Sequence, residues 1–86
     1  MRLLEIKKVI DKFNKQDFGG LEIYGKDSFH DFQTWTDAFK VKVLKVKGLD
    51  LKARLEQVDN NSLDIVIYVN GYSILRVEEV KEVYIW

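Results

Sequence analysis

Between Phe39 and Val69 the apolar residues recur at every second position, and this period of two is the strongest constraint on how the chain folds. In "FKVKV", Phe39, Val41 and Val43 share one face while Lys40 and Lys42 take the other. Leu49, Leu51, Ala53 and Leu55 alternate with Asp50, Lys52, Arg54 and Glu56, and Leu63, Ile65, Ile67 and Val69 form a further row. Such alternation predicts half-buried strands, whose successive side chains point to opposite faces. The rows are separated by short turns. "DNNS" at 59–62 is a turn by composition, and Asn70-Gly71 is the strongest short hairpin signal. The adjacent pair Val43-Leu44 breaks parity and predicts a bulge, after which Leu44 and Val46 point inward. "YSILRV" at 72–77 and "VKEVYIW" at 80–86 read as two more strands, separated by Glu78 and Glu79.

Ahead of the strands the period is helical. Leu3, Leu4, Ile6, Val9, Ile10 and Phe13 recur at three- and four-residue spacing, with Glu5, Lys7, Lys8, Asp11, Lys12 and Lys15 opposite. Gly19-Gly20 ends this helix. "LEIYG" at 21–25 alternates briefly, as a short strand would. Residues 28–39 read as a second helix, with Phe29, Phe32, Trp35 and Phe39 on one stripe and Ser28 and Asp31 resembling a capping box. The alternative is a compact loop pinned by its aromatic side chains. The expected fold is mainly β with an N-terminal helix: a helical segment over 1–38, then a small, strongly bent, five-stranded antiparallel barrel over 39–86, in one domain.

Composition narrows the function classes. The chain has 86 residues, 33% of them charged, and no apolar run approaches the ~20 residues of a membrane-spanning helix. The absence of cysteine removes disulfides, thiol chemistry and thiolate zinc sites, and a cytoplasmic protein is expected. Net charge is zero but uneven. Residues 1–54 carry twelve Lys/Arg against eight Asp/Glu, and residues 55–86 carry two against six. A neutral chain can still bind RNA through a local patch, but composition gives that reading no help, and oppositely charged faces that aid solubility or self-association are the favoured expectation.

Within the alternating region, "VKGLDLKARLEQVD" and "LRVEEVKEVYIW" resemble the two sequence motifs of the Sm-like proteins, the Sm, LSm and Hfq group. Gly48 takes the first motif's glycine, Leu51 and Leu55 its inward positions, and Val58-Asp59 its ending; Leu75 and Arg76 hold the second motif in register. The resemblance implies a divergent bacterial, archaeal or phage member that forms a homo-oligomeric ring and binds single-stranded RNA. It implies RNA contacts at Asp59, Asn60, Asn61 and Arg76. Lys40 and Lys42 would supply phosphate contacts. Pairing of the last two strands between neighbouring copies implies an interface at Ile74, Leu75, Val83, Tyr84, Ile85 and Trp86. Ala53, Val77 and Glu79 depart from the family's glycines and asparagine. Glu78 and Glu79 would repel phosphate by roughly 1 kcal/mol per close pair in water. The competing expectation is therefore a structural or protein-interaction module of the same fold without nucleic acid.

No catalytic constellation is present. The single histidine, His30, stands beside Asp31 without a nucleophile motif or metal-ligand spacing. No enzyme activity, cofactor, metal or small-molecule substrate is expected. Tyr68, Tyr72, Tyr84 and Trp86, on the final strands, suit either base stacking or interface anchoring.

Overall fold

The computed structural model describes residues 2–27, 39–60 and 62–86, with side chains left aside at 26, 27 and 39. The expected second helix at 28–39, His30 and Asn61 lie outside the described residues, apart from Phe39, which opens a strand. Among the described residues one helix, α1 (Leu3–Lys15), precedes five strands: β1 (Gly20–Asp27), β2 (Phe39–Leu44), β3 (Leu51–Gln57), β4 (Leu63–Val69) and β5 (Tyr72–Ile85). They form one antiparallel sheet in the order β2-β1-β5-β4-β3. The protein is thus mainly β with an N-terminal helix, as the alternation requires, and its small bent sheet has a barrel-like curvature.

The most consequential difference from expectation concerns the chain after the hairpin. Residues 72–85 form one long strand rather than two. No glycine, proline or asparagine between Val77 and Val80 can reverse the backbone. Glu79 instead adopts a left-handed conformation (φ 49°), which bends the strand without ending it. Tyr24 faces Glu82 while Lys26 faces Glu78, so β5 carries two extra residues opposite Gly25. A Cβ on Gly25 would lie 2.6 Å from the Glu78 carbonyl oxygen, so only glycine leaves room for the bulge.

This bend divides the sheet's work. The first part of β5 pairs with β4, from Tyr72 opposite Val69 to Val77 opposite Ile65. Its later part pairs with β1, from Val77 opposite Asp27 to Ile85 opposite Leu21. Gly20–Asp27, expected within a helical N-terminal segment, is therefore a full strand of the sheet, flanked by β2 and β5. The bulge expected at Val43-Leu44 does not occur. β1 and β2 stay in unbroken register from Gly20 opposite Leu44 to Gly25 opposite Phe39. Val43 is buried, whereas Leu44 and Val46 are exposed.

α1 lies across the concave side. Ile6, Ile10 and Phe13 are buried against Leu21, Ile23, Leu51, Ile65, Ile67, Val77 and Val83. Each fully buried side chain of this kind contributes about 1.5–3 kcal/mol relative to exposure. Leu3 and Leu4, expected on the same inward face, are exposed in the first turn. At the other end of α1, the Asn14 amide meets the edge of β3. Asn14 Nδ2 donates to the Ala53 carbonyl and Asn14 Oδ1 accepts the Ala53 N–H, each at 2.8 Å. Lys45 Nζ donates to the Leu51 carbonyl of the same strand at 2.7 Å.

A clasp on the convex side holds the bend. Asp64, only 3% exposed, is the one buried charged residue among those described. Its Oδ2 accepts Arg76 Nε at 2.9 Å and lies 2.8 Å from Nη2, while its Oδ1 accepts the Glu79 N–H at 3.3 Å. Arg76 Nη1 reaches Glu56 Oε2 at 2.8 Å. The ion pair thereby joins β3, β4 and β5 beside the residue that bends β5. No buried side-chain polar atom among the described residues lacks a hydrogen-bond partner.

Candidate nucleic-acid interface

The outward residues of β2, β1 and the second part of β5 form a three-by-three grid. Strand alternation places Leu44, Lys42 and Lys40 on β2, Gly20, Glu22 and Tyr24 on β1, and Trp86, Tyr84 and Glu82 at the end of β5. The registers set the rows: Lys42 opposite Glu22 opposite Tyr84, and Lys40 opposite Tyr24 opposite Glu82. Gly20 and Trp86 exchange two backbone hydrogen bonds at 3.1 Å, extending the sheet by one position. A Cβ on Gly20 would lie 2.7 Å from the Trp86 ring and 2.9 Å from a Leu44 methyl, so the bare glycine lets the indole lie across β1.

Aromatic surface dominates one side of this grid. Trp86 is 51% exposed and Tyr84 46% exposed. The Tyr24 and Tyr84 rings meet edge to face at 5.8 Å. That geometry fixes both rings without covering them. Lys42 Nζ stands 5.9 Å from the centre of the Trp86 ring, within cation–π reach. The carboxylates are engaged within the grid: Tyr24 Oη donates to Glu22 Oε1 at 2.8 Å, and Tyr84 Oη donates to Glu82 Oε2 at 2.9 Å. Lys40 Nζ lies 3.6 Å from Glu22. Each tyrosine's pKa is raised, first by its hydrogen bond to the neighbouring carboxylate and then by burial.

The residues expected to bind RNA are thus dispersed. Lys40 and Lys42 lie side by side on this face. Asp59 and Asn60 belong to the β3–β4 turn, on the other half of the sheet. There they border a shallow cavity of about 220 Å³, also lined by Leu3, Ile6, Gln57 and Val80. Arg76 is held in the clasp by Glu56 and Asp64, hydrogen bonds that raise its pKa, beside the bend of β5. The expected interface residues sit in the middle of the sheet. Leu75 faces Ile67, Val83 faces Ile23, and Ile85 faces Leu21, so β5 spends these ladder positions within the chain. Ile74 remains exposed beside them. Among the described residues the sheet's outer strands are β2 and β3.

Tyr24 and Glu22 belong to no motif in the sequence. The signal that could have found them is the alternation of "LEIYG", which places Glu22 and Tyr24 on one face. No family model, curated protein or solved structure matches this chain.

Proposed function

We propose that the protein binds single-stranded RNA on the outer face of β2, β1 and β5. One observation carries the reading: two half-exposed aromatic rings, Trp86 and Tyr84, lie on a rigid sheet with Lys40 and Lys42 along the flanking strand. Bases stack on such rings without strong sequence preference, at about 1–3 kcal/mol per base, and lysines beside them attract the backbone. Neighbouring outward residues on one strand are about 6.8 Å apart, within the reach of one extended nucleotide. The carboxylates of Glu22 and Glu82 offer acceptors to ribose 2′-hydroxyls.

Fluorescence anisotropy with oligo(U) and oligo(A) at several salt concentrations tests the proposal. Binding should tighten at low salt, Trp86→Ala and Tyr84→Ala should each weaken it about tenfold or more, and Lys42→Glu should flatten the salt slope. Flat anisotropy for both oligomers rejects it. A second reading, a protein-interaction module without nucleic acid, is favoured by the charge balance of the grid, where Glu22 and Glu82 offset Lys40 and Lys42. An Sm-like kinship and a cytoplasmic homo-oligomer belong to the first proposal. Its support is a helix leading into five bent antiparallel strands. A neighbouring copy would add at β2, since Asn14 and Lys45 occupy part of the β3 edge; light scattering reads the outcome.

A further inference from the structure

A separate feature occupies the end of the molecule where α1 leaves for β1 and β2 leaves for β3. Phe18, in the first connection, is 82% exposed. Val46 and Leu49, in the second, are about half exposed. The two connections touch: the Lys45 N–H donates to the Gly19 carbonyl at 2.8 Å, and the Leu49 N–H closes the second turn on the Val46 carbonyl at 3.1 Å. At Gly48, between Val46 and Leu49, an added Cβ would meet no atom within 4 Å, so the turn is open to solvent at that point. Three large exposed apolar side chains therefore share the two joined connections that form this tip.

The charge around the tip is one-sided. Residues 12–19 and 45–52 together hold five lysines (12, 15, 45, 47 and 52) and two aspartates (17 and 50), a net charge of +3. Lys45 and Lys52 are turned onto the carbonyls of Leu51 and Asn14, and so keep their charge at the base of the tip. Lys15 and Lys47 are exposed beside the apolar residues.

We infer that this tip docks on an anionic lipid bilayer, with Phe18, Val46 and Leu49 entering the interface and the lysines facing anionic headgroups. A fluid interface accepts a convex apolar tip, whereas a protein partner would need a matching pit. Each lysine approaching an anionic membrane strengthens attachment about fivefold, and the apolar insertion adds a part that salt does not screen. No helix among the described residues is long and apolar enough to cross a membrane, and the contact inferred is with the surface.

Flotation with vesicles of phosphatidylcholine alone, and of phosphatidylcholine with about one-third phosphatidylserine, tests the inference. The protein should float with the anionic vesicles only. Phe18→Ser should reduce the bound fraction about tenfold, and Val46→Ser or Leu49→Ser severalfold, with unchanged circular dichroism because all three are exposed. Lys15→Glu with Lys47→Glu should abolish binding, whereas Tyr84→Ala on the sheet face should leave it unchanged. Failure to float with anionic vesicles at low salt overturns the inference. So does flotation indifferent to Phe18→Ser, Val46→Ser and Leu49→Ser, or weakening of oligo(U) binding, instead of vesicle binding, by those three variants.

Discussion

The side-chain amide of Asn14 and the backbone of Ala53 form a closed pair of hydrogen bonds, 2.8 Å in each direction, across 39 residues of sequence. The amide supplies one acceptor and one donor where an adjoining strand would supply a carbonyl and an N–H. A helix residue thus stands in for a sixth strand and occupies part of an edge that would otherwise be open to pairing.

Asn14→Ala should therefore cost about 1–3 kcal/mol, since it leaves part-buried backbone groups of Ala53 without their partner. Hydrogen exchange of the Ala53 amide should accelerate, and the variant should self-associate more at high concentration. An Ala53 amide that exchanges at the wild-type rate would show that the edge is protected by something else.

The clasp between Asp64 and Arg76 yields a second prediction. Arg76→Met leaves the nearly buried Asp64 carboxylate without its cation, at an expected cost of about 2–4 kcal/mol. The combination with Asp64→Leu should be less harmful than the sum of the two single changes, because the unpaired charge is gone. Denaturant midpoints measure both. Additive effects would mean that the two side chains are not coupled.

Crowding at Gly25 can be separated from backbone strain. In Gly25→Ala the new Cβ would sit 2.6 Å from the Glu78 carbonyl and 3.2 Å from Val80 Cα, so β5 must shift. The cost should be about 1–3 kcal/mol and should change amide shifts along residues 77–81. Gly71→Ala is the control: its φ of 85° strains any side chain, but no atom lies within 4 Å. Its effect should stay at the hairpin. Unchanged amide shifts at 77–81 in Gly25→Ala would remove the argument that the bulge needs a glycine opposite.

The tyrosine pair predicts a pH dependence with a definite sign. Hydrogen bonds to Glu22 and Glu82 raise the pKa values of Tyr24 and Tyr84 above the ordinary 10.0. The folded state then keeps these protons where the unfolded state has lost them. Their stabilisation is complete below about pH 10 and is lost as pH rises beyond it. Lys45, whose pKa is lowered first by burial, acts in the opposite sense, so the comparison belongs between variants. Tyr24→Phe and Tyr84→Phe should each flatten the fall in melting temperature above pH 10; a fall as steep as the wild type's would reject the assignment.

The sequence made some of this legible and hid the rest for identifiable reasons. α1 and strands β2, β3 and β4 follow from local periodicity, because each buries one regular face. Sequence alone divides β5 at Glu78-Glu79, because two charged residues between apolar runs resemble a turn. Nothing local reveals that Asp64, fifteen residues earlier, accepts the Glu79 N–H. The interior role of β1 is not visible locally, because it depends on pairing with β5, fifty or more residues away. Lys40, Lys42, Tyr84 and Trp86 were each visible as candidates. What joins them is the long-range pairing of β1 with both β2 and β5, which alternation within one segment cannot specify. Arg76 matched a motif position, but its carboxylate partners lie on two other strands.

Because β1 finds its second partner only in residues 77–85, the sheet cannot close until β5 has left the ribosome. Early segments wait with an apolar ribbon exposed, a delay that favours slow folding and calls for shelter from aggregation. Strand β5 then completes both halves together, so a lesion near its bend should collapse the protein as a single unit rather than fray one side.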